Sequence, residues 1–399
     1  MGRKSRSFLR RQWPAIVLVA ASLLIAAPGQ AAEQESDILL DLRWRYETVD
    51  ADASPDAARA ATLRTRLGLE HAFSGNWSGL VEFEDVHVLG ADDYNDTKNG
   101  LGQYPVVADP EDTELNRLQL SWQGGDDTAT FGRQRINLGS QRFIGAVGFR
   151  QNEQTYDGLR YDMRAEASDV TFLYLARVNR IFGAHHPSRA NIDLDAVVID
   201  ANWDLAPFKL GAYAHGFEFE ASPGASVRNV GLRVDWKGGG WKLSGEVAQQ
   251  DGWRDGLLDE AVDYRKLEVE SKLDRFSWAI GQELLGSNGS SAFQTPFATL
   301  HKFNGWADQF LTTPGAGLED TYVRVVAPLS SFKLHLQYHQ FAADALDQDY
   351  GDEFDIAISR VLEQGHAEGV TVELKYAAFS GDVGYQDVSK LWLTLAKRF

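Results

Sequence analysis

Apolar and polar residues take turns along most of this chain, and the period of two returns in arm after arm. The clearest copy runs from Glu114 to Asn137, ELNRLQLSWQGGDDTATFGRQRIN. In its first arm Asn116, Leu118, Leu120 and Trp122 share one face, and Arg117, Gln119 and Ser121 the other, as in a β-strand. Gly124, Gly125, Asp126 and Asp127 suit a tight hairpin, and a second arm sets Ala129 and Phe131 against Thr128, Thr130 and Gly132. Arg133 and Arg135 stand at its far end.

The same unit recurs. Ile38 to Tyr46 puts Ile38, Leu40, Leu42, Trp44 and Tyr46 opposite Asp41, Arg43 and Arg45, and Ala61 to Phe73 puts Leu63, Leu67 and Leu69 opposite Arg64, Arg66 and Glu70. Trp77 to Val88 sets Val81 and Phe83 against Glu82 and Glu84. About eighteen arms follow this pattern down to Gln386–Phe399, joined alternately by short turns and by longer loops. The loops after Val88, after Asn137 and after Leu285 are the longest.

The ends of the chain narrow the possibilities. Arg3, Lys4, Arg6, Arg10 and Arg11 precede an apolar run from Pro14 to Ala27, with Gly29 and Ala31 at the −3 and −1 positions of a cleavage site, so residues 1–31 read as a secretory signal peptide. Its removal takes the formal charge from −18 to −23, because five positive charges leave. A chain that acidic does not attract nucleic acid through its general field. There is no cysteine.

After Ala32 no apolar segment is long enough to cross a bilayer as a helix, so a membrane-spanning form must be a closed barrel. An even number of strands, short turns at one end, long loops at the other and tryptophans near strand ends all describe a bacterial outer-membrane barrel. Trp44, Trp77, Trp122, Trp203, Trp236, Trp241 and Trp278 are the candidates for that belt. The expected fold is therefore all-β: a single transmembrane antiparallel barrel of about 18 strands over residues 32–399, with short periplasmic turns and long extracellular loops.

In a barrel this wide the inward residues face water and set what passes. The inward set is rich in arginine: Arg43, Arg45, Arg64, Arg66, Arg117, Arg160, Arg177 and Arg233, with Arg133 and Arg135 adjoining. Glu70, Glu82, Glu84, Asp162, Asp193 and Asp195 share the phase. Such a field orders anionic groups such as sugar carboxylates through charge-assisted bonds, or the charges pair with one another and keep the lumen wet. His335 and His339 stand too far apart along a strand to share a metal ion, and His185 and His186 read as loop residues; the acidic run Asp347, Asp349, Asp352 and Asp355 reads as a loop whose spacing is no EF-hand, either a solvated tip or a Ca²⁺ site, and no cofactor or metal is expected. No nucleophile motif, phosphate loop or HExxH is present, so the chain does not read as an enzyme.

Several segments resemble the alginate-export family of outer-membrane porins. These are AFQTPFATLHKFNGWADQFLTTPGAGLED from Ala292, RTRLGLE from Arg64, FGRQRINLGSQRFIG from Phe131 and QTYDGLRY from Gln154. The resemblance implies a monomeric eighteen-stranded barrel that conducts anionic polysaccharide or its fragments through an arginine-lined constriction. Carried over by position, Arg64, Arg66, Arg133 and Arg135 are its first candidates, with Arg142 and Arg160 next.

The reading is thus a passive outer-membrane channel for anionic oligo- or polysaccharides such as alginate, or for small polar solutes. The loop from Ser287 to Gly317 carries Phe293, Phe297, His301, Phe303, Trp306 and Asp308, is too apolar to stand free in solvent, and is expected to fold inward or pack at the rim and gate access. The expected partners are outer-membrane lipid and lipopolysaccharide, the barrel-assembly machinery and an anionic sugar solute. A non-conducting surface or adhesion protein is the alternative, and a barrel hydrolase a more distant one.

Overall fold

The structure is a computed structural model whose described residues are 36–399 apart from Ser74; the signal-peptide reading lies outside them. Eighteen strands form it. The first six are β1 (Ser36–Ala51), β2 (Ala58–Ala72), β3 (Trp77–Asp93), β4 (Asp112–Gly124), β5 (Asp127–Gln134) and β6 (Thr155–Ala165). Next come β7 (Ser168–Asn179), β8 (Asn191–Leu205), β9 (Phe208–Phe219), β10 (Val227–Gly238), β11 (Trp241–Gly252) and β12 (Val262–Leu273). The last six are β13 (Phe276–Leu285), β14 (Leu318–Leu329), β15 (Phe332–Ala342), β16 (Asp349–Val361), β17 (Thr371–Gly381) and β18 (Val388–Arg398).

Each strand pairs antiparallel with its neighbours in sequence, and β1 also pairs with β18, from Asp41 opposite Arg398 to Ala51 opposite Val388. The sheet therefore closes into an 18-stranded antiparallel barrel with no free edge, which satisfies every ladder. One end carries tight turns such as 125–126, 166–167, 239–240 and 274–275; the other carries the loops 94–111, 135–154, 180–190 and 286–317. These are called here the turn end and the loop end.

Alternation explains the wall. Leu67, Leu69, Phe83, Val197, Ile199, Val230, Leu232, Val247, Leu267 and Ile280 are exposed on the outer face, where Leu232 keeps 59% of its surface. The residues between them face inward. Trp77 opposite Trp122, and Trp241 edge-on to Trp278 at 5.6 Å, gather at the turn end as a belt, with Trp203 and Trp236 near them. Trp44, expected in that belt, stands in the middle of β1.

Bulges overturn one inward assignment and one outward one, because an extra residue shifts the parity of every side chain beyond it. The register of β7 skips Ala176, which leaves Leu175 and Ala176 both buried and turns Arg177 outward with Asp193, their side chains 41% and 40% exposed and 2.6 Å apart. Asp193 and Asp195, also read as inward, share the unbroken parity of Val197 and Ile199 along β8 and so face outward, where Asp195 meets the hydroxyl of exposed Tyr174 at 2.7 Å. The register of β4 skips Asn116, so Asn116 joins Arg117 on the inner side instead of Leu118, and both bond to Glu82. The acidic run also departs from the expected loop: Asp349, Asp352 and Asp355 belong to β16, and Asp355 is fully buried.

The largest apolar cluster lies within the barrel. It joins Ile136, Phe143 and Ile144 of one loop and Phe293, Phe297, Trp306 and Phe310 of another to inward residues of the wall, including Tyr213, Phe217, Tyr264, Phe341, Phe379 and Trp392. Among the described residues no helix is long and apolar enough to cross a membrane.

Candidate functional site: two inward loops across the lumen

Loops 135–154 and 286–317 enter the barrel from opposite arcs of the wall and meet. Ile144 and Phe297 form a parallel bridge, and the N–H of Gly145 donates to the carbonyl of Phe297 at 2.9 Å. The N–H of Thr299 donates to the carbonyl of Gln141 at 3.0 Å, and Thr299 Oγ1 accepts from the N–H of Val147 at 3.2 Å. Tyr156, inward on β6, donates from its hydroxyl to the Gly145 carbonyl at 2.9 Å. Phe149 and His301 stack nearly parallel. A wall of two loops thus crosses the lumen, held by backbone bonds and by aromatic burial.

The arginines of β1 and β2 anchor the first loop. Arg43 donates to Gln151 Oε1 at 2.8 Å and to the carbonyls of Gly148 and Arg150, while Arg45 donates to the carbonyl of Phe149 at 2.7 Å and covers its ring at 4.2 Å. Arg64 pairs with Asp41 at 2.5 Å, and Arg66 with Glu84 and, at 3.6 Å, with Glu153. All four are buried, at 3 to 8% exposure, so they lie in the packing between wall and loop. Each contact replaces water with a charge-assisted bond.

Glu153 is the hub on the loop side. It accepts from Arg135 Nη2 at 2.7 Å and from Asn116 at 2.9 Å, and its N–H donates to Glu84 at 2.9 Å. Burial alone would raise its carboxyl, but Arg66 and Arg135 outweigh that and hold it down at about 2. Glu82 takes Arg117 at 2.5 Å. Arg160 closes on Asp162 at 2.7 Å. Arg133 departs from the inward expectation: it shares the parity of Ala129 and Phe131, so it sits on the outer face opposite Asp157, which it binds at 2.8 Å.

The second loop is fixed by acids of the far wall. The N–H groups of Ala307 and Trp306 donate to Glu353 at 2.7 Å and to Asp355 at 3.3 Å. Asn304 spans Glu283 at 2.9 Å and Asp320 at 3.1 Å, and Arg142 of the first loop reaches Glu283 at 3.1 Å, Asn304 at 2.9 Å and the ring of Phe303 at 4.7 Å. Phe293 and Phe297 are fully buried, as expected of an inward loop, and Trp306 packs over Lys375 at 3.6 Å.

His301 and Asp308 close the constellation. His301 Nδ1 donates to Asp308 at 2.9 Å and its Nε2 accepts from Lys375 at 2.7 Å, which fixes a neutral ring. Burial pushes the imidazole down to about 3, against the pull of Asp308 and with the push of Lys375. Burial would raise Asp308, but the bond from His301 and the charges of Lys390 and Arg150 hold it well below the usual carboxylate range. Arg150 also binds Glu47 at 3.2 Å.

The sequence reading did not single out Glu153, Gln151, Asn304, Lys375 or Trp392. Their signal is three-dimensional: each lies far in sequence from the group it holds, and only the register brings them together.

Cavities lie on both sides of this wall. At the loop end one of about 600 Å³ is lined by Arg150, Arg180, Arg189 and Lys390 with Asp308, among apolar residues of four loops. At the turn end one of about 660 Å³ is lined by a mixture that includes Arg233, Lys242, Lys266, Asp235, Glu246 and Glu268. Ser36 Oγ and His71 Nδ1 lie 2.7 Å apart at the turn end, but among the described residues no acid holds the other ring nitrogen, so the pair lacks the third member of a hydrolase triad. Among the described residues no group of His, Cys, Asp and Glu is placed to hold a metal ion.

No family model matches the chain, and no curated protein matches it. Solved structures do. The crystal structure of OccK9 (OpdG) from Pseudomonas aeruginosa is 13% identical with a TM-score of 0.70, covering 92% of this chain and 98% of that one. OpdK from the same organism, solved with vanillate, is 11% identical with a TM-score of 0.70 over 92% and 98%. OccAB3 from Acinetobacter baumannii is 12% identical with a TM-score of 0.71 over 92% and 99%. At such identities the likeness is one of fold, and it does not single out alginate export: the chain has the closed 18-stranded architecture of the outer-membrane porin structures it resembles.

Proposed function

We propose that this protein is a passive channel of a Gram-negative outer membrane for small anionic solutes, with the two inward loops as its constriction. The observation that carries the reading is electrostatic. The cavity above the loops is lined by Arg150, Arg180, Arg189 and Lys390 against Asp308, in a chain whose formal charge is −18. Cations concentrated in one mouth of a low-dielectric passage raise the local concentration of anions there.

In this reading the exposed apolar belt faces lipid, the turn end faces the periplasm and the loop end faces outward among lipopolysaccharide. The barrel works as a monomer after insertion by the assembly machinery. Arg43, Arg45 and Arg66 act by holding loop 135–154 in place, Arg64 closes on Asp41 of the wall, and Arg117, Arg135, Arg142 and Arg160 set the field of the passage with their acids. Sugar acids, as monomers or short oligomers of a polymer such as alginate, carry a charge that fits, while Val147, Ile181, Pro296, Leu300 and Leu311 in the same cavity offer their hydroxyls few partners. A polymer strand must first part the bridge between Ile144 and Phe297, which favours small solutes.

The meeting of the loops also favours a second reading, a non-conducting surface protein. One experiment separates them: single-channel recording of the refolded mature chain in a planar bilayer, with reversal potentials in a salt gradient. Discrete openings that prefer anions support the channel. A correctly folded, inserted barrel that never opens, and a bilayer equally silent after deletion of residues 295–312, overturns it in favour of the surface protein.

A further inference from the structure

We propose that the loop-end cavity contains a capture subsite for organic monoanions with an apolar body, built on Arg180, Phe182 and Arg189; it rests on the channel reading and names where that channel first holds its solute. Most arginines inside this barrel are matched by a carboxylate, as Arg66 is by Glu84 and Arg150 by Glu47. Arg180 and Arg189 are not. Among the described residues neither guanidinium has an acidic partner, and the charge that most perturbs Arg180, after burial, is Arg189 itself. Both lie over one ring, with their carbons 4.8 and 5.2 Å from the centroid of Phe182.

Stacking of this kind engages the flat face of a guanidinium and leaves its N–H edge open to a carboxylate, which it can bind through two parallel bonds. The supporting segment is fixed beforehand. The N–H of Arg180 donates to the carbonyl of Ala190 at 2.9 Å. His186 Nδ1 accepts from the N–H groups of Ser188 at 3.2 Å and Arg189 at 2.9 Å, so the ring's Nε2 carries the proton and donates to the carbonyl of Thr97 at 3.2 Å. Little ordering is left for a ligand to impose.

The rest of the cavity decides what the anion is attached to. Val147, Ile181, Pro296, Leu300 and Leu311 line it beside the arginines. A ring bearing several hydroxyls loses water against these side chains and finds few partners in return, whereas a hydrocarbon body gains by the same burial. Guanidinium charge and hydrocarbon in one cavity select an amphipathic monoanion.

The test uses three probes of one ring size on the full mature chain in a planar bilayer at about 0.15 M salt, where screening is moderate. Cyclohexanecarboxylate, glucuronate and cyclohexanol are added at the loop end, and the half-blocking concentration of each is read. The carboxylate is expected to block about tenfold more tightly than either of the others, and Arg180→Gln with Arg189→Gln to weaken it by about tenfold or more. Arg59→Gln, at an exposed arginine outside the cavity, is expected to leave block unchanged. Equal block in the double variant overturns the subsite, and equal block by glucuronate overturns its apolar character.

If the folded barrel never conducts, the channel reading falls by itself. Calorimetry of the same probes on the detergent-folded protein then decides the subsite: binding lost in the double variant supports it, and absence of binding in the parent chain overturns it.

Discussion

Phe149 and His301, 152 positions apart in the chain, stack with ring centroids 3.4 Å apart and planes 15° from parallel. They are the point at which the two inward loops lock, flanked by Arg45, Lys375 and Trp392. Phe149→Ala removes the ring from this sandwich and is expected to cost the docked loops about 3 kcal/mol, the range of aromatic truncation in a packed interior. Because the barrel ladders are untouched, the heat-modifiable gel shift stays while single-channel conductance rises and closures multiply. A current record identical to that of the parent chain would show that the stack locks nothing.

Acid works on the same lock through His301. Its folded pKa of about 3 lies below the ordinary 6.5 of histidine, so the docked loop favours the neutral ring and the released loop the charged one. The contribution is complete above pH 6.5 and drains away as the pH falls toward 3. At pH 5 it has shrunk by about 2 kcal/mol, a factor of roughly thirty in the released population. Charging His301 also sets a cation against Lys375 and Arg150, with only Asp308 to offset it. The hydrogen-exchange protection factors over residues 286–317, which correct for the slower intrinsic exchange of amides in acid, are expected to fall between pH 7 and pH 5 and to lose that dependence in His301→Gln.

Glu153 predicts a separate loosening of the first loop. Glu153→Gln removes the charge that Arg135 and Arg66 share, and a buried cation left without its partner costs about 3 kcal/mol or more. Since this carboxyl titrates near 2 in the fold against an ordinary 4.5, its support is present above pH 4.5 and lost as the pH falls through 2. Limited proteolysis is expected to cut within residues 135–154 of the variant at neutral pH and to spare the parent chain.

Gly132 tests the wall rather than the loops. Its φ is +113°, and a Cβ there would lie 2.3 Å from the carbonyl oxygen of Leu118 on the paired strand. Gly132→Ala must break that pairing, at a cost of several kcal/mol, and is expected to lower the yield of folded barrel sharply. Gly75→Ala, at φ +79° in a turn with open space around it, adds only the left-handed strain of about 1 kcal/mol and is expected to fold.

Leu232 lies midway along β10 on the exposed belt. Leu232→Arg is expected to cost the barrel about 2 to 4 kcal/mol in a bilayer, as for a charge at mid-depth on a lipid face, and far less in a detergent micelle. Equal cost in both media would argue against the belt as a lipid contact.

How much of this was legible from residues follows from what a period of two can carry. It located all the arms, because Leu67, Phe83, Val197 and Leu232 must stand outward if Arg66, Glu84, Val198 and Arg233 stand inward. It could not see Ala176 or Asn116 as extra residues, so parity alone misplaces Arg177 and Asn116, whereas Asp193 and Asp195 keep the parity of Val197 and Ile199 along β8 and were read against the pattern itself. The apolar content of loop 286–317 sufficed to expect it inside or at the rim. Its seat on Glu353, Asp355 and Lys375 was out of reach, since those contacts join opposite arcs of a ring whose size the sequence states only through its strand count. The arginines of β1 and β2 were found as a cluster, but their partners lie in loop 135–154 for Arg43, Arg45 and Arg66 and on the wall itself for Arg64 and again for Arg66, and they turn a set of open charges into internal bonds.

The seam between β1 and β18 places a condition on time. Arg398 pairs with Asp41, and the N–H of Phe399 donates to the carbonyl of Leu40 at 2.9 Å, so β18 is bonded to β1. A chain without β18 cannot complete the ring, and the pairing of greatest sequence separation cannot form until β18 has been made. Until then every completed hairpin leaves two raw edges, and the chain depends on being held unassembled for as long as its last strand is missing.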